Sequence, residues 1–561
     1  MASAAHRRPD TQTPSGQEGE EAQSAIVILR RTPLPVDIYE LTEMLPYGEV
    51  LLPYSKDYDR AITIDNDCFT TWLKPCAVVL PRNAEELAQI VNFARDKRII
   101  LTIKSGGHST GGYCLNDRGI VVDLSAMKNV RINEQSTEIT MQAGCVWDDV
   151  YALLRGKDSA NMVVGGLCPT VGVSGFTLAG GASPFSRSYG LGIDNVLEMT
   201  VVTAAGEVVT VRPDDADPLQ QDLFWGLCGG GGGNFGIVTE FKSRVHRLSS
   251  PNGLCTFGTL TWFLGDIESR LRFLAMMRLF DELAPSWPDE LCMEAVWVYD
   301  EAPPRPRQLI GQLHVFYNGR KESCSGLIAP LLAFDPTAWW PVEMSWREWV
   351  DRQESDPAGS KGYPRYSSFI FDSIRRGLVE SIMDMMDYAE KLLAGDGGYA
   401  RFMWAHIGGA TARVGSSDTP FPWRNGLYVS RLTLRWGSSS MEQSVQDFTD
   451  RCRRNLSPFA LKEKAAYLNF IDASLNDWAE ACYDTNYPRL QTVKAEWDPA
   501  DFFKSPLSIQ LPTSWGWIRK RSTSHQTAST AQAPAQPDRS SRGDPTIPEK
   551  YWLPSIAMIE G

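Results

Sequence analysis

The sequence predicts an α+β protein with more than one domain, and three observations support this prediction. The chain has 561 residues, which is beyond the length at which a single hydrophobic core stops growing. Between residues 78 and 124, short apolar runs alternate with a helical pattern, as in α/β domains. From about residue 250 to 460, tryptophan and tyrosine become frequent and prolines interrupt often, and alternating runs such as residues 427–434 are typical of antiparallel strands.

The first part of the chain contains strand and helix patterns in alternation. Strand patterns cover residues 78–80, 99–103 and 119–124, and a helical pattern covers 84–94. Asn83 precedes the helix, where a side-chain oxygen can accept a hydrogen bond from a free amide of the first turn. The strand at 99–103 runs directly into a glycine-rich turn, so the sheet is expected to present that turn at its edge.

Further strand patterns follow later in the chain. Residues 196–211 are typical of two strands joined by a turn at 204–207, and a strand pattern at 237–241 follows five consecutive glycines. Residues 427–434 alternate along a region rich in tryptophan and tyrosine. We therefore expect a second domain built on an antiparallel sheet with one polar face.

Composition excludes several classes of partner. The net charge of −13 argues against nucleic acid or an anionic membrane surface as a partner. We expect no transmembrane helix, because no apolar run approaches about 18 residues. The N-terminal residues lack the apolar segment of a secretory signal, and eleven cysteines cannot all be paired, so an intracellular location is favoured. No metal site is predicted.

Two glycine-rich turns each hold one reactive side chain. Residues 105–109 read Ser-Gly-Gly-His-Ser and hold His108, whereas residues 165–170 read Gly-Gly-Leu-Cys-Pro-Thr and hold Cys168. Glycine lets backbone N–H groups approach a bound anion closely, as in a pyrophosphate site. The turn at 105–109 matches neither the ATP-binding P-loop nor the common dinucleotide fingerprint. From the local pattern alone, a tight turn with a surface histidine and an inert buried cysteine fits as well.

Several blocks in order resemble one enzyme family. Lys-Ser-Gly-Gly-His-Ser at 104–109, Gly-Leu-Cys-Pro-Thr-Val-Gly at 166–172 and Tyr-Gly-Leu-Gly-Ile-Asp-Asn at 189–195 resemble the berberine bridge enzyme family of flavin oxidases. Tyr-Leu-Asn-Phe at 467–470 is similar to the C-terminal block of that family. The chain departs from the family pattern at Ala182, Cys228, Trp423 and Leu507, and ordinary packing is the favoured role for Trp423.

The resemblance implies a PCMH-type fold, which has two α/β FAD subdomains and a substrate domain with an antiparallel sheet flanked by helices. It implies an FAD-binding domain at 31–248, a substrate domain at 249–459 and a C-terminal segment at 460–515 that returns to the FAD domain. Residues 1–30 and 516–561 are expected to form a disordered arm and a mostly disordered tail.

The resemblance also implies an FAD cofactor attached twice. His108 would bond to the 8-methyl carbon of the flavin and Cys168 to its ring carbon 6. The residues expected to bind the cofactor are Ser105, Gly106, Gly107, His108, Ser109, Gly112, Cys168, Val171, Gly172, Gly175, Gly180, Gly181, Tyr189, Gly192, Asp194, Ile237, Val238 and Asn469.

Tyr467 is the residue that the resemblance assigns as general base. A phenol has an ordinary pKa of about 10, so it needs a neighbouring cation, a hydrogen bond or a second tyrosine to act near neutral pH. From spacing alone, a tyrosine packed in a strand would be the better interpretation. Asn469 is expected to orient the flavin or Tyr467.

The predicted function is that of an FAD-linked oxidase. It would remove a hydride from a small organic substrate and pass electrons to oxygen, giving hydrogen peroxide, with alcohol oxidation or oxidative cyclisation in secondary metabolism as the setting. The aromatic-rich second domain favours a bulky apolar substrate. A carbohydrate oxidase and a flavin-binding protein without turnover are the alternatives, and the oligomeric state stays open.

Overall fold

The computed structural model describes residues 36–64, 72–155, 160–250, 252–300, 307–337, 339–352 and 362–513. The arm predicted at 1–30 and the tail predicted at 516–561 lie outside these residues. Within them, no helix has the length and apolar content to cross a bilayer. The ten cysteines of the described segments form no disulfide with one another.

The first sheet carries the turn that contains His108. Its strands lie in the order Glu49–Leu51, Ala77–Leu80, Ile120–Asp123 and Leu101–Lys104. The last three are parallel, and Glu49–Leu51 is antiparallel to its neighbour. Helix Ala84–Asp96 makes the crossover, and the Asn83 side chain accepts from the Glu86 amide, so the predicted helix and its N-cap are confirmed.

The second sheet is antiparallel. Its strands lie in the order Val130–Ile132, Glu138–Gln142, Gly236–Arg244, Val196–Thr203 and Val208–Val211. The predicted turn between the last two strands is confirmed, and Gly206 has a φ of +77° there, a conformation that favours glycine. A short pair joins Asn161–Met162 to His246–Arg247. Helices in this part are Trp147–Arg155, Val173–Leu178, Ser186–Tyr189 and Pro218–Leu227.

The third sheet is the largest in the described residues and is antiparallel, as the alternating patterns predicted. Its strands lie in the order Val342–Ser345, Leu254–Phe263, Gln308–Tyr317, Leu291–Asp300, Tyr399–His406, Tyr428–Trp436 and Tyr363–Phe371. Helices Ile267–Leu283, Lys321–Leu332, Leu378–Leu393 and Glu442–Leu456 belong to the same part of the chain.

The two faces of the third sheet differ in chemistry. Trp297, Phe402 and Trp404 on one face are fully buried in a core shared with helix residues such as Phe273 and Met386. Since side chains alternate across a strand, the other face carries a different set, and that set faces a cavity. The polar face expected from the sequence is therefore turned toward the inside of the protein.

The C-terminal segment packs against the core of the first two sheets. Helices Trp478–Tyr483 and Tyr487–Trp497 contribute Tyr483, Leu490 and Val493 to that core. The fully buried ammonium of Lys494 donates to the Asp498 carboxylate at 2.7 Å and to the carbonyl of Asn234 at 3.0 Å. These bonds fix the glycine-rich segment before Asn234 to the end of the chain. The remaining α-helices of the described residues are Glu40–Met44, Tyr58–Ile62 and Trp346–Arg352.

Candidate active site

The two glycine-rich turns that hold His108 and Cys168 meet in space. The Nε2 atom of His108 lies 2.9 Å from the Thr170 hydroxyl, and the Cys168 thiol lies 3.4 Å from the same oxygen. One threonine therefore contacts both reactive side chains, which are sixty residues apart in the sequence. Both side chains line the same cavity.

Glycines allow the backbones of the two turns to touch. A Cβ atom on Gly106 would lie 2.3 Å from the amide nitrogen of Gly172, and one on Gly172 would lie 2.4 Å from the Ser105 hydroxyl. Such distances leave no room for a side chain at either position. The hydroxyl of Ser105 and that of Ser174, in the helix Val173–Leu178 that follows the second turn, both donate to the carbonyl of Ala143, just after strand Glu138–Gln142.

The cavity has a volume of about 570 Å³, within the range of small-molecule sites. It runs from the glycine-rich turns to the polar face of the third sheet. Most of the predicted site residues line it, namely Ser105, Gly106, Gly107, His108, Ser109, Cys168, Val171, Gly172, Gly175, Ile237, Val238, Tyr467 and Asn469.

The other predicted cofactor residues do not line the cavity. Gly112 closes a turn on the Ser109 carbonyl, and Tyr189 stacks on His246 with its hydroxyl donating to the Arg247 carbonyl. The Asp194 carboxylate accepts two hydrogen bonds from Arg424 and one from the Leu191 amide. Gly112, Tyr189 and Asp194 thus contact other protein groups outside the cavity lining.

Gly180, Gly181 and Gly192 also lie behind the cavity wall. Gly180 lies against the Tyr467 ring, where a Cβ would be 2.7 Å from a ring carbon. Gly181 and Gly192 pack on each other, and the Gly192 amide donates to the Gly181 carbonyl at 2.8 Å. Gly180 packs against Tyr467, and Gly192 holds Gly181 beside it. Direct cofactor contact by these glycines stays a prediction.

Tyr467 is held by donors aimed at its hydroxyl oxygen. The Ala182 amide donates to that oxygen at 2.8 Å, and the Asn469 side-chain amide donates at 3.2 Å. The same Asn469 nitrogen donates to the Phe176 carbonyl at 2.9 Å, which fixes its orientation. Two donors on one phenol oxygen stabilise the phenolate, which is the form that a base needs.

The electrostatic balance at Tyr467 favours the protonated phenol. Tyr467 is 3% exposed, and burial raises the pKa of its hydroxyl above the ordinary value. The hydrogen bonds from Ala182 and Asn469, and the Arg424 guanidinium, lower the pKa without cancelling the effect of burial. Tyr467 is thus a neutral phenol at pH 7, and two donors are already in position to stabilise its phenolate.

Sequence reasoning missed several cavity residues. Glycines 231–233 line the cavity, and in the sequence they stand out only as part of a run of five glycines. Thr170 contacts both His108 and Cys168 from outside the lining, and it has no sequence signal beyond its place beside Cys168. The polar face of the third sheet supplies a larger set that the sequence analysis did not assign, namely Glu294, His314, Tyr366, Arg401, Met403, Arg431 and Arg435. Charged residues at alternate positions of predicted strands were the signal that could have found them.

The residues present fit an FAD cofactor. Gly107 and Gly233 line the cavity with φ of +75° and +69°, so their backbones take conformations that side chains disfavour. A Cβ on Gly175 would meet no protein atom within 4 Å, which leaves open space at the cavity wall. A glycine-lined cavity of this size is suited to a flat ring system with a pyrophosphate.

Comparison with known proteins matches two family models. One, described as FAD binding domain, matches residues 75–212, and one described as berberine and berberine like matches residues 466–510. In these two segments the chain is similar to the berberine bridge enzyme-like FAD-linked oxidoreductases. It is an FAD-dependent oxidoreductase of α+β fold.

Individual relatives match most of the length of this chain. An uncharacterised FAD-linked oxidoreductase of Bacillus subtilis, YvdP, is 28% identical over 473 residues, covering 82% of this chain and 98% of that protein. Reticuline oxidase of Eschscholzia californica is 25% identical, covering 83% and 89%. Wild-type BBE-like 1 of Physcomitrella patens has a TM-score of 0.71 at 24% identity, covering 84% and 99%.

The family departures noted in the sequence lie in different places. Trp423 is buried and donates its indole N–H to the Ala481 carbonyl at 2.8 Å, away from the cavity, so it packs as favoured. Cys228 is buried, and burial raises the pKa of its thiol far above the ordinary value. Leu507 lines the cavity, and Ala182 supplies its backbone amide to Tyr467.

Proposed function

We propose that this protein is an oxidase whose FAD is attached to both His108 and Cys168. The observation that supports this most directly is the shared contact with Thr170, which holds both side chains at one end of a glycine-lined cavity. The Thr170 hydroxyl can donate to one neighbour and accept from the other. Two attachment points would fix the ring system in one orientation against the substrate.

Tyr467 would act as the general base. It lines the cavity, its hydroxyl oxygen receives two donors, and its segment is fixed by the Tyr467 amide donating to the Ser368 hydroxyl at 2.9 Å. Once Tyr467 has lost its own proton, its phenolate would accept the proton of a substrate hydroxyl, and a carbonyl would be left when the carbon-bound hydrogen departs as hydride. When bound, FAD supplies the two-electron acceptor for that hydride and returns the electrons to oxygen as hydrogen peroxide.

The position of the aromatic residues changes the expected substrate. The prediction of a bulky apolar substrate rested on the aromatic-rich second domain, yet Trp297 and Trp404 lie in its core on the face away from the cavity. The cavity-facing side is polar, which suits an alcohol with further polar groups. A carbohydrate oxidase, the alternative from sequence, is favoured by this observation. A role in secondary metabolism stays a prediction.

Replacing Tyr467 by phenylalanine tests the proposal. We expect Tyr467→Phe to retain the flavin spectrum and to slow anaerobic flavin reduction by about 10²- to 10⁴-fold, the usual contribution of a general base. The substrate for this measurement comes from a screen of peroxide release with sugars, hydroxy acids and larger natural-product alcohols.

Tyr299→Phe is the matched control. It removes a phenol that donates to the Asp387 carboxylate at 2.6 Å and does not line the cavity. This variant should reduce its flavin at the wild-type rate. Undiminished flavin reduction in Tyr467→Phe would eliminate Tyr467 as the base.

A further inference from the structure

The cavity-facing side of the third sheet carries charged residues on adjacent strands. Glu294 lies opposite His314 across strands Leu291–Asp300 and Gln308–Tyr317. Met403 lies opposite Arg431 across strands Tyr399–His406 and Tyr428–Trp436. All four side chains line the cavity, together with Arg401. The face opposite the glycine-rich turns is thus a charged surface.

Arg431 lies close to the proposed base. Its guanidinium carbon is 4.8 Å from the ring centre of Tyr366 and 5.1 Å from that of Phe470. Phe470 stacks edge to face on Tyr467 with ring centres 5.2 Å apart. The rings hold the planar guanidinium in one orientation, and they place its charge one ring away from Tyr467.

The charges on this face are mainly positive. Arg401, Arg431 and Arg435 line the cavity, and Glu294 is the one carboxylate among the described lining residues. Burial raises the pKa of Glu294, although Arg401 and Arg431 oppose that rise. Burial, with a contribution from Arg401, lowers the pKa of His314 to about 4, so this imidazole is neutral at pH 7.

We propose that the substrate is a hydroxy acid whose carboxylate is bound by Arg401 and Arg431. This inference rests on the proposed function, because the hydroxyl of the same molecule would face Tyr467. A guanidinium presents parallel N–H donors that match a carboxylate and add charge-assisted bonds. Arginines also repel an ammonium group, so a cationic amine substrate is disfavoured at this face.

The arginines act inside a cavity, which strengthens their attraction for a carboxylate. Charges interact more strongly where water is excluded than on an exposed surface. Glu294 would repel a carboxylate placed beside it, so the anion is expected to contact Arg401 and Arg431 on the side away from Glu294. The two ends of the site would then fix both the carboxylate and the reacting hydroxyl.

Matched pairs of ligands test the charge preference on the flavin-loaded protein. Suitable probes are 4-(hydroxymethyl)benzoate against 4-(hydroxymethyl)benzamide, and glucuronate against glucuronamide. Dissociation constants are measured from tryptophan fluorescence and from flavin absorbance. We expect at least one acid to bind tenfold or more tightly than its amide, and this preference should fall as salt is raised.

Variants separate the arginines from the rest of the fold. We expect Arg431→Gln and Arg401→Gln each to weaken binding of the preferred acid tenfold or more and to leave binding of its amide within about twofold. Arg431→Lys should restore part of the preference, because it keeps the charge without the planar fork. Arg375→Gln, which removes an exposed arginine paired with Asp372, is the control and should change neither constant.

Three results would overturn the inference. The first is equal binding of acids and amides throughout the panel. The second is an acid preference that survives both glutamine variants. The third is a glutamine variant that changes the flavin spectrum of the ligand-free protein while its acid preference stays intact. Failure of the proposed function is distinguishable, because it would appear as absent flavin reduction while the fluorescence measurement still reports the charge preference.

Discussion

At the scale of single residues, Tyr467 combines features that oppose each other. Burial raises the pKa of its phenol, while the Ala182 amide and the Asn469 side chain place two donors on the oxygen. The donors stabilise the phenolate and the buried surroundings disfavour it, so the phenol must lose its own proton before it can accept one from the substrate. The two hydrogen bonds orient the oxygen before that proton leaves.

The direction of that pKa shift gives a pH prediction. A base acts only when deprotonated, and a phenol with a raised pKa is protonated at pH 7, so flavin reduction should quicken as pH rises from 7 to 10. The rate is measured anaerobically by stopped-flow absorbance at each pH. In Tyr467→Phe the residual rate should be nearly independent of pH over this range. An identical rise in that variant would assign the titration to another group.

At the scale of elements, the approach of the two glycine-rich turns decides the geometry. Gly106 and Gly172 have no space for a Cβ because each would press on the backbone or on Ser105. This contact sets where His108 and Cys168 lie relative to Thr170. The turns act as one unit although the first follows strand Leu101–Lys104 of the first sheet and the second follows strand Asn161–Met162 of the short pair.

A methyl group at position 106 should separate the two glycine-rich turns. A Cβ there would lie 2.3 Å from the Gly172 nitrogen, so Gly106→Ala must push the turns apart. We expect less than about a tenth of the wild-type flavin content, measured by absorbance per protein, because His108 and Cys168 no longer meet at Thr170.

Gly326→Ala is the control for this prediction. Gly326 lies in helix Lys321–Leu332, where a Cβ would meet no atom within 4 Å. We expect wild-type flavin content and a free energy of unfolding higher by about 0.5–1 kcal/mol, because alanine favours the helix. Wild-type flavin content in Gly106→Ala would contradict the account of the turns.

The elements also show what sequence patterns can predict. Helix Ala84–Asp96 and the strands around it were predictable because capping and periodicity are local signals. The side of strand Tyr428–Trp436 that faces the cavity was not, because its pairing with Tyr399–His406 and Tyr363–Phe371 joins distant segments. Arg431 was therefore visible in an alternating run without any sign of its role.

At the scale of the whole molecule, the cavity is shared by distant parts of the chain. The glycine-rich turns supply one end, the third sheet supplies the opposite face, and the C-terminal segment supplies Tyr467 and Asn469. Order along the chain was enough to indicate the family, because several motifs occur in sequence. It could not place Tyr189 or Asp194 behind the wall, since that placement depends on contacts with His246 and Arg424.

The central claim is that one FAD joins His108 and Cys168. The most direct measurement is mass spectrometry of the protein digested with trypsin after acid precipitation, with flavin absorbance to mark the cofactor. The predicted result is a single flavin product that contains the peptides of both residues. In His108→Ala and Cys168→Ala the flavin should remain on the other peptide alone, and the double variant should release it. A yellow supernatant after acid precipitation of the wild-type protein, with no flavin on either peptide, would contradict the claim.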